Sequence, residues 1–185
     1  MRPITRPGAV LAEGPGLVVF DALYGPGPST DSPPDGDLDT YVPPREKPAL
    51  DKVISELQLK QQGRREVLHA LSALFQDTNK FRYSTWQGFI KPKNTNESAV
   101  ARFLLRTHSG HCEYFATATV LLLRELDIPA RYAVGYAVHE ASGKKYVVRQ
   151  RDAHAWCLVW NPANNTWQDF DTTPASWVAA ESGRA

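Results

Sequence analysis

The chain has 185 residues, enough for one domain with its own core, and 42% of them are apolar, as in ordinary globular proteins. A formal net charge of +1, with Lys and Arg scattered rather than clustered, argues against a nucleic-acid or anionic-membrane partner. No apolar run approaches the ~18 residues of a membrane-spanning helix, and two cysteines make no disulfide framework.

Residues 1–47 differ from the rest. Ten of the fourteen prolines fall in the first 48 positions, interleaved with Gly, Ser and Asp, as in the run from Tyr24 to Asp37. Such a segment has too little apolar side chain to order itself. It reads as an extended arm or linker wrapping the domain surface. Its one apolar island, Leu17 to Leu23, is expected to add an edge strand to a sheet. Arg2 and Arg6 are followed by Pro and Gly, not by the apolar block of a secretory leader. The folded domain is placed at residues 48–178, with a tail at 179–185.

From Pro48 the pattern turns helical. Leu50, Val53, Ile54 and Leu57 form one stripe. After Gly63 a second stripe follows: Val67, Leu68, Leu71, Leu74 and Phe75. Pro48 suits the first helical turn. Phe81 to Trp86 reads as extended. Asn94 to Glu97 offers cap chemistry for a short helix bearing Val100, Phe103 and Leu104. Gly110 permits a tight turn, and the next helix starts at or just after Cys112. Its stripe is Phe115, Ala118, Thr119, Leu122 and Leu126, and Asp127-Ile128-Pro129 ends it. Beyond Pro129 the period changes to two. Residues 131–138, 145–149, 154–160 and 165–171 read as strands separated by turns at 141–144 and 161–164. Helices followed by an antiparallel meander make an α+β domain.

Cys112 at a helix start lies where unpaired N–H groups and the helix dipole favour a thiolate. A lone cysteine is more often a small buried apolar residue, so Cys112 needs a base and a group that orients it. A four-residue loop at Asn161–Asn164 pairs Trp160 with Asn165 and, stepping back along the ladder, His154 with Asp171. Opposed residues on one face lie ~4.5–5.5 Å apart, within hydrogen-bond reach for an imidazole and a carboxylate. Pairing with Asp169 would need a two-residue Asn161-Pro162 turn, and proline cannot supply the positive φ. The set Cys112, His154 and Asp171 is therefore a candidate for nucleophilic attack on a carbonyl. The Cys112 backbone N–H is a candidate oxyanion donor, and Tyr114 and Trp86 are candidates for the second donor or a cleft wall.

Four blocks taken in order resemble the transglutaminase-like superfamily in its bacterial form. They are Gly110-His111-Cys112 with Tyr114-Phe115-Ala116, Asp127-Ile128-Pro129-Ala130-Arg131 leading to Val134-Gly135-Tyr136, His154-Ala155-Trp156, and Trp167 with Asp171-Thr172-Thr173-Pro174. The resemblance implies a papain-like fold and a Cys–His–Asp triad, carried to Cys112, His154 and Asp171. It implies acyl transfer on a protein or peptide bearing a glutamine or other amide group, through a thioester resolved by an amine or by water. A peptidase or amidase, or a non-catalytic extracytoplasmic scaffold, are the alternatives. Family members often carry Glu where Leu158 stands, and Pro where Thr172 stands. No cofactor or metal is expected, and the calcium sites of animal members have no visible counterpart. The resemblance to membrane-anchored bacterial relatives suggests an extracytoplasmic setting.

The remaining polar and aromatic residues have plainer readings. Cys157 lies on the strand face opposite His154 and should be core. His111 reads as a loop residue and a weaker cleft candidate, and Trp156 as packing that could shape the cleft. His108 and His139 should be exposed. Arg131 should pair with a carboxylate.

Overall fold

The computed structural model describes residues 2–3, 10–11, 32–86, 92–93, 97–137, 140–142 and 145–182. The Leu17–Leu23 island, Asn94–Asn96, His139 and the Gly143-Lys144 turn lie outside them. Arg2–Pro3 (β1) and Val10–Leu11 (β2) pair as a two-residue antiparallel ribbon. The helices are α1 (Gly36–Asp39), α2 (Lys47–Glu56), α3 (Arg64–Gln76), α4 (Ala99–Arg102), α5 (Cys112–Glu125) and α6 (Trp177–Ser182). Helix α4 runs on into a π turn, Phe103–Thr107, and His108 (φ 50°) then reverses the chain.

The expected stripes face inward. Leu50, Val53 and Ile54 of α2 are buried, as are Val67, Leu71 and Phe75 of α3. Four aromatic rings, Phe75, Phe81, Phe103 and Phe115, fill the centre, with centroids 4.9 Å apart for Phe75–Phe81 and 5.0 Å for Phe103–Phe115. Helix α5 is buried nearly all round, at Phe115, Ala116 and Ala118 through Leu123. An element covered on both sides belongs at the middle of the domain. The cap of α4 is Ser98, whose hydroxyl accepts from the Ala101 N–H at 2.9 Å and donates to the buried Glu46 carboxylate.

Arg82–Tyr83 (β3) pairs in parallel with Ser109–Gly110 (β4), so the expected extended run at Phe81–Trp86 contributes two residues of strand. The main sheet has three antiparallel strands in the order β5 (Ala130–Tyr136), β8 (Ala153–Asn161), β9 (Thr166–Phe170). The expected four-stranded meander is corrected here. β5 pairs directly with β8, and Glu140–Ser142 (β6) with Lys145–Val147 (β7) form a separate hairpin. The β8–β9 register is corrected too. Trp160 faces Trp167 and Asn161 faces Thr166, two residues from the expected pairing. The loop is Pro162–Asn165, and Asn165 supplies the positive φ of 52° that closes it. A left-handed residue at the loop end is a common hairpin solution. Along β5, Tyr132, Val134 and Tyr136 are exposed, whereas Ala130 is fully buried.

Residues just before α2 are held against the domain. The Asp39 carboxylate receives both Nε and Nη2 of Arg131, at 2.9 and 2.7 Å. The Arg131 guanidinium also lies 4.0 Å over the Trp167 ring. Arg131 thus has the carboxylate partner expected of it. Among the described residues, no helix is long and apolar enough to cross a membrane.

Candidate active site

The β3–β4 pairing brings the chain to the start of α5 alongside Tyr83, with the Ser84 N–H donating to the Gly110 carbonyl at 2.9 Å. A Cβ at Gly110 would come within 2.9 Å of the Tyr114 ring, so only glycine fits there. His111 is the extended N-cap residue and Cys112 is the first residue of the helix. Cys112 is 9% exposed and packs among Ala116, Ala155 and Tyr83. The two small alanines let β8 run close to the helix start.

Strand β8 begins after a 3₁₀ turn, Gln150–Asp152, whose Asp152 carboxylate accepts the Arg149 N–H at 3.0 Å. His154 follows and is 6% exposed. Its Nε2 lies 2.7 Å from Asp171 Oδ2, which leaves the buried Nδ1 to face the Cys112 thiol. Asp171 stands just past the end of β9, where the register would set Thr173 opposite His154. The contact is diagonal, two residues short of that position. The loop carrying Asp171 is fastened at several points. Asp171 Oδ1 accepts the Thr173 N–H at 2.9 Å, Thr172 and Thr119 share a 2.6 Å hydroxyl contact, and Gln76 Nε2 donates to the Thr173 carbonyl at 3.0 Å. The other carboxylate considered, Asp169, accepts from Trp156 Nε1 at 2.7 Å.

These contacts set the ionisation. Burial raises the Cys112 thiol, but hydrogen bonds from His111, His154 and the Ala155 N–H outweigh it and bring it down to about 6. Burial lowers His154, but Asp171 and the thiol outweigh it and raise the imidazole to about 9. Between those values the stable pair is thiolate and imidazolium. Asp171 is raised by burial and lowered more strongly by His154 and Thr173, ending below the usual carboxylate range. His111 is raised, first by its hydrogen bond to Cys112.

The structure therefore brings together Cys112, His154 and Asp171, with His111 against the thiol as a second imidazole. Trp156 is a half-buried surface indole, parallel to the His154 ring at 6.2 Å, rather than core packing. Trp86 is 76% exposed. With Tyr83, Ser84, Ser109 and Tyr114 it lines a cavity of about 640 Å³. Tyr114 packs on Phe103 at 5.5 Å. Cys157 is fully buried, and burial raises its thiol to about 12, so it is a core residue. His108 is not exposed as expected: its Nε2 lies 2.9 Å from the Leu104 carbonyl and its ring meets Phe81 edge-on at 4.9 Å.

Three neighbours of this site escaped the reading of the sequence. Trp177 stacks on His154 at 4.2 Å and 13°. The Tyr83 hydroxyl donates to Glu181 Oε1 at 2.6 Å. Trp177 and Glu181 sit on α6, after the last motif, and no spacing pattern links either to the thiol. Among the described residues, no group of three or more His, Cys, Asp or Glu side chains is arranged to hold a metal ion.

Comparison with known proteins agrees with this fold. A protein-glutamine gamma-glutamyltransferase of Pseudomonas aeruginosa is 36% identical over 51% of this chain and 14% of its own length. The uncharacterized protein YebA of Bacillus subtilis is 34% identical over 57% of this chain and 15% of its own length. The crystal structure of the periplasmic domain of TgpA from Pseudomonas aeruginosa matches with a TM-score of 0.61 and 30% identity, covering 77% of this chain and 47% of that one. Its ethylmercury-bound form matches with a TM-score of 0.60 and 29% identity, covering 78% and 49%. The chain thus spans about half of that solved domain and a small part of the curated relatives. The family model of the transglutaminase-like superfamily matches residues 55–172. With its α+β papain-like fold, the chain belongs to the transglutaminase-like superfamily.

Proposed function

We propose that this domain catalyses acyl transfer at amide carbonyls of proteins or peptides, with Cys112 as nucleophile, His154 as base and Asp171 as the group that orients the base. The observation that carries the reading is His154 held between two partners, its Nε2 2.7 Å from Asp171 Oδ2 and its ring hydrogen-bonded to the Cys112 thiol. The Cys112 proton rests on Nδ1. Sγ attacks the carbonyl carbon, and the C=O π pair moves onto oxygen. The tetrahedral adduct collapses with cleavage of the C–N bond, and the imidazolium gives its proton to the departing nitrogen. A thioester remains on Cys112. An acceptor then gives a proton to His154 as it attacks, and the thiolate is released.

The preferred donor is a glutamine side chain and the preferred acceptor a primary amine, a reading supported by the protein-glutamine gamma-glutamyltransferase relative. The setting is extracytoplasmic, by likeness to a periplasmic domain. Incubation with a glutamine peptide and a fluorescent primary amine tests this, with products read by mass spectrometry. Amine incorporation that disappears in Cys112→Ala is expected. Peptide-bond cleavage instead would mean that water is the acceptor and the enzyme a peptidase. Activity that survives Cys112→Ala would contradict the mechanism.

A further inference from the structure

We infer that Tyr83 is the second oxyanion donor of this site, held ready by Glu181; the inference rests on the acyl-transfer reading above. An attacked carbonyl develops negative charge on oxygen and needs donors fixed where that oxygen will lie. One donor is the Cys112 backbone N–H, free of an intrahelical partner because Cys112 opens α5. The two aromatic residues expected from the sequence do not serve. Trp86 is 76% exposed, and Tyr114 is turned onto Phe103 and Gly110.

Tyr83 is placed by three independent contacts. Its backbone is fixed by the two-residue pairing with β4, which sets it opposite Gly110, two residues before the nucleophile. Its ring packs on the cluster of Cys112, Ala116 and Ala155. Its hydroxyl donates to Glu181 Oε1 at 2.6 Å, and its phenol oxygen accepts the Cys112 backbone N–H. The phenol oxygen therefore sits beside the N–H that is the other donor. Burial first, then the Glu181 carboxylate and the neighbouring thiol, push this phenol well above its usual range, so it keeps its proton. Tyr83 also lines the cavity of about 640 Å³ with Trp86 and Tyr114.

At rest the single phenolic proton points to Glu181. When Sγ bonds to carbon and the π pair moves onto oxygen, the O–H swings from the carboxylate to the oxyanion, and the Cys112 N–H turns from the phenol oxygen to the oxyanion as the second bond. No proton leaves Tyr83. Collapse of the adduct restores the C=O, and the hydroxyl returns to Glu181. Glu181 is thus a positioning residue, which keeps the phenol in place without touching the substrate.

The test compares two reagents at Cys112. p-Nitrophenyl acetate acylates the thiol through an oxyanion, whereas iodoacetamide alkylates it at a saturated carbon and forms none. In Tyr83→Phe, which keeps the ring, acylation should slow by about 10²–10³-fold, the usual loss of one oxyanion donor. Alkylation and its pH dependence should stay as in the wild type. Equal loss with both reagents would assign Tyr83 a structural role, and no loss in acylation would remove it from the site; either overturns the inference. A wild-type thiol no faster than free cysteine toward both reagents would overturn the acyl-transfer reading and this inference with it.

Discussion

Cys112 and Cys157 share a side-chain type and a domain, yet their chemistry diverges. Both are buried. Cys157 faces only the core, and burial drives its thiol to about 12. Cys112 meets two imidazoles and a backbone N–H that outweigh the same penalty, and its thiol falls to about 6. The environment decides which cysteine can act. His154 moves the other way, to about 9. Turnover should therefore rise as the thiolate forms around pH 6 and fall as the imidazolium is lost around pH 9. A kcat/KM profile checks this, and a single rise near the ordinary thiol value of ~8.5 would contradict it. The two carboxylates can be separated in the same way. Asp171→Asn should lower turnover by at least ~10²-fold, because the imidazole loses its orienting anion. Asp169→Asn should change it little, since Asp169 only receives the Trp156 indole N–H.

At the scale of elements, the site depends on where a loop is tied down. Asp171 lies beyond the last paired residue of β9, so the sheet does not hold it. Thr119, one face of α5, and Gln76, at the end of α3, hold the Thr172-Thr173 backbone and hydroxyl instead. The nucleophile helix therefore also positions the carboxylate. Thr119→Val keeps the volume but leaves the buried Thr172 hydroxyl unpaired, which costs about 1–3 kcal/mol. Urea unfolding should show the loss, and turnover should fall with it if the loop shifts. Stability unchanged would mean that Thr172 finds another partner. This dependence also explains what was legible. The strand period gave Asp171 the right face, since a two-residue slip in register preserves the face. The register itself failed, because the loop closes on a left-handed Asn165 that no turn signature announced. The β6–β7 hairpin was misplaced for a related reason. Four strands in a row suggest a meander, while the pairing of β5 with β8 is a long-range choice made by packing.

The whole molecule divides the work between a helical layer and a sheet, with α5 between them. Local period revealed the helices because each buries a stripe, although α5, read from one stripe, is buried nearly all round. The contribution of α6 was not legible, since Trp177 and Glu181 act through contacts with residues far earlier in the chain. Nor did any pattern place the Asp39 carboxylate against Arg131. The four-phenylalanine centre joins α3, the Phe81 loop, the π turn and α5. Phe75→Ala would open a cavity at that junction and should cost about 3–5 kcal/mol. Thermal unfolding is the check, and a loss well under ~1 kcal/mol would mean that the centre repacks.

The most direct measurement is the rate of iodoacetamide alkylation at each cysteine as a function of pH, with sites identified by mass spectrometry. Cys112 should react with an apparent pKa of about 6 while Cys157 stays silent, and His154→Ala should return Cys112 toward ~8.5. A Cys112 that titrates like a free thiol, or whose acidity survives the loss of His154, would contradict the thiolate–imidazolium pair on which the proposed chemistry depends.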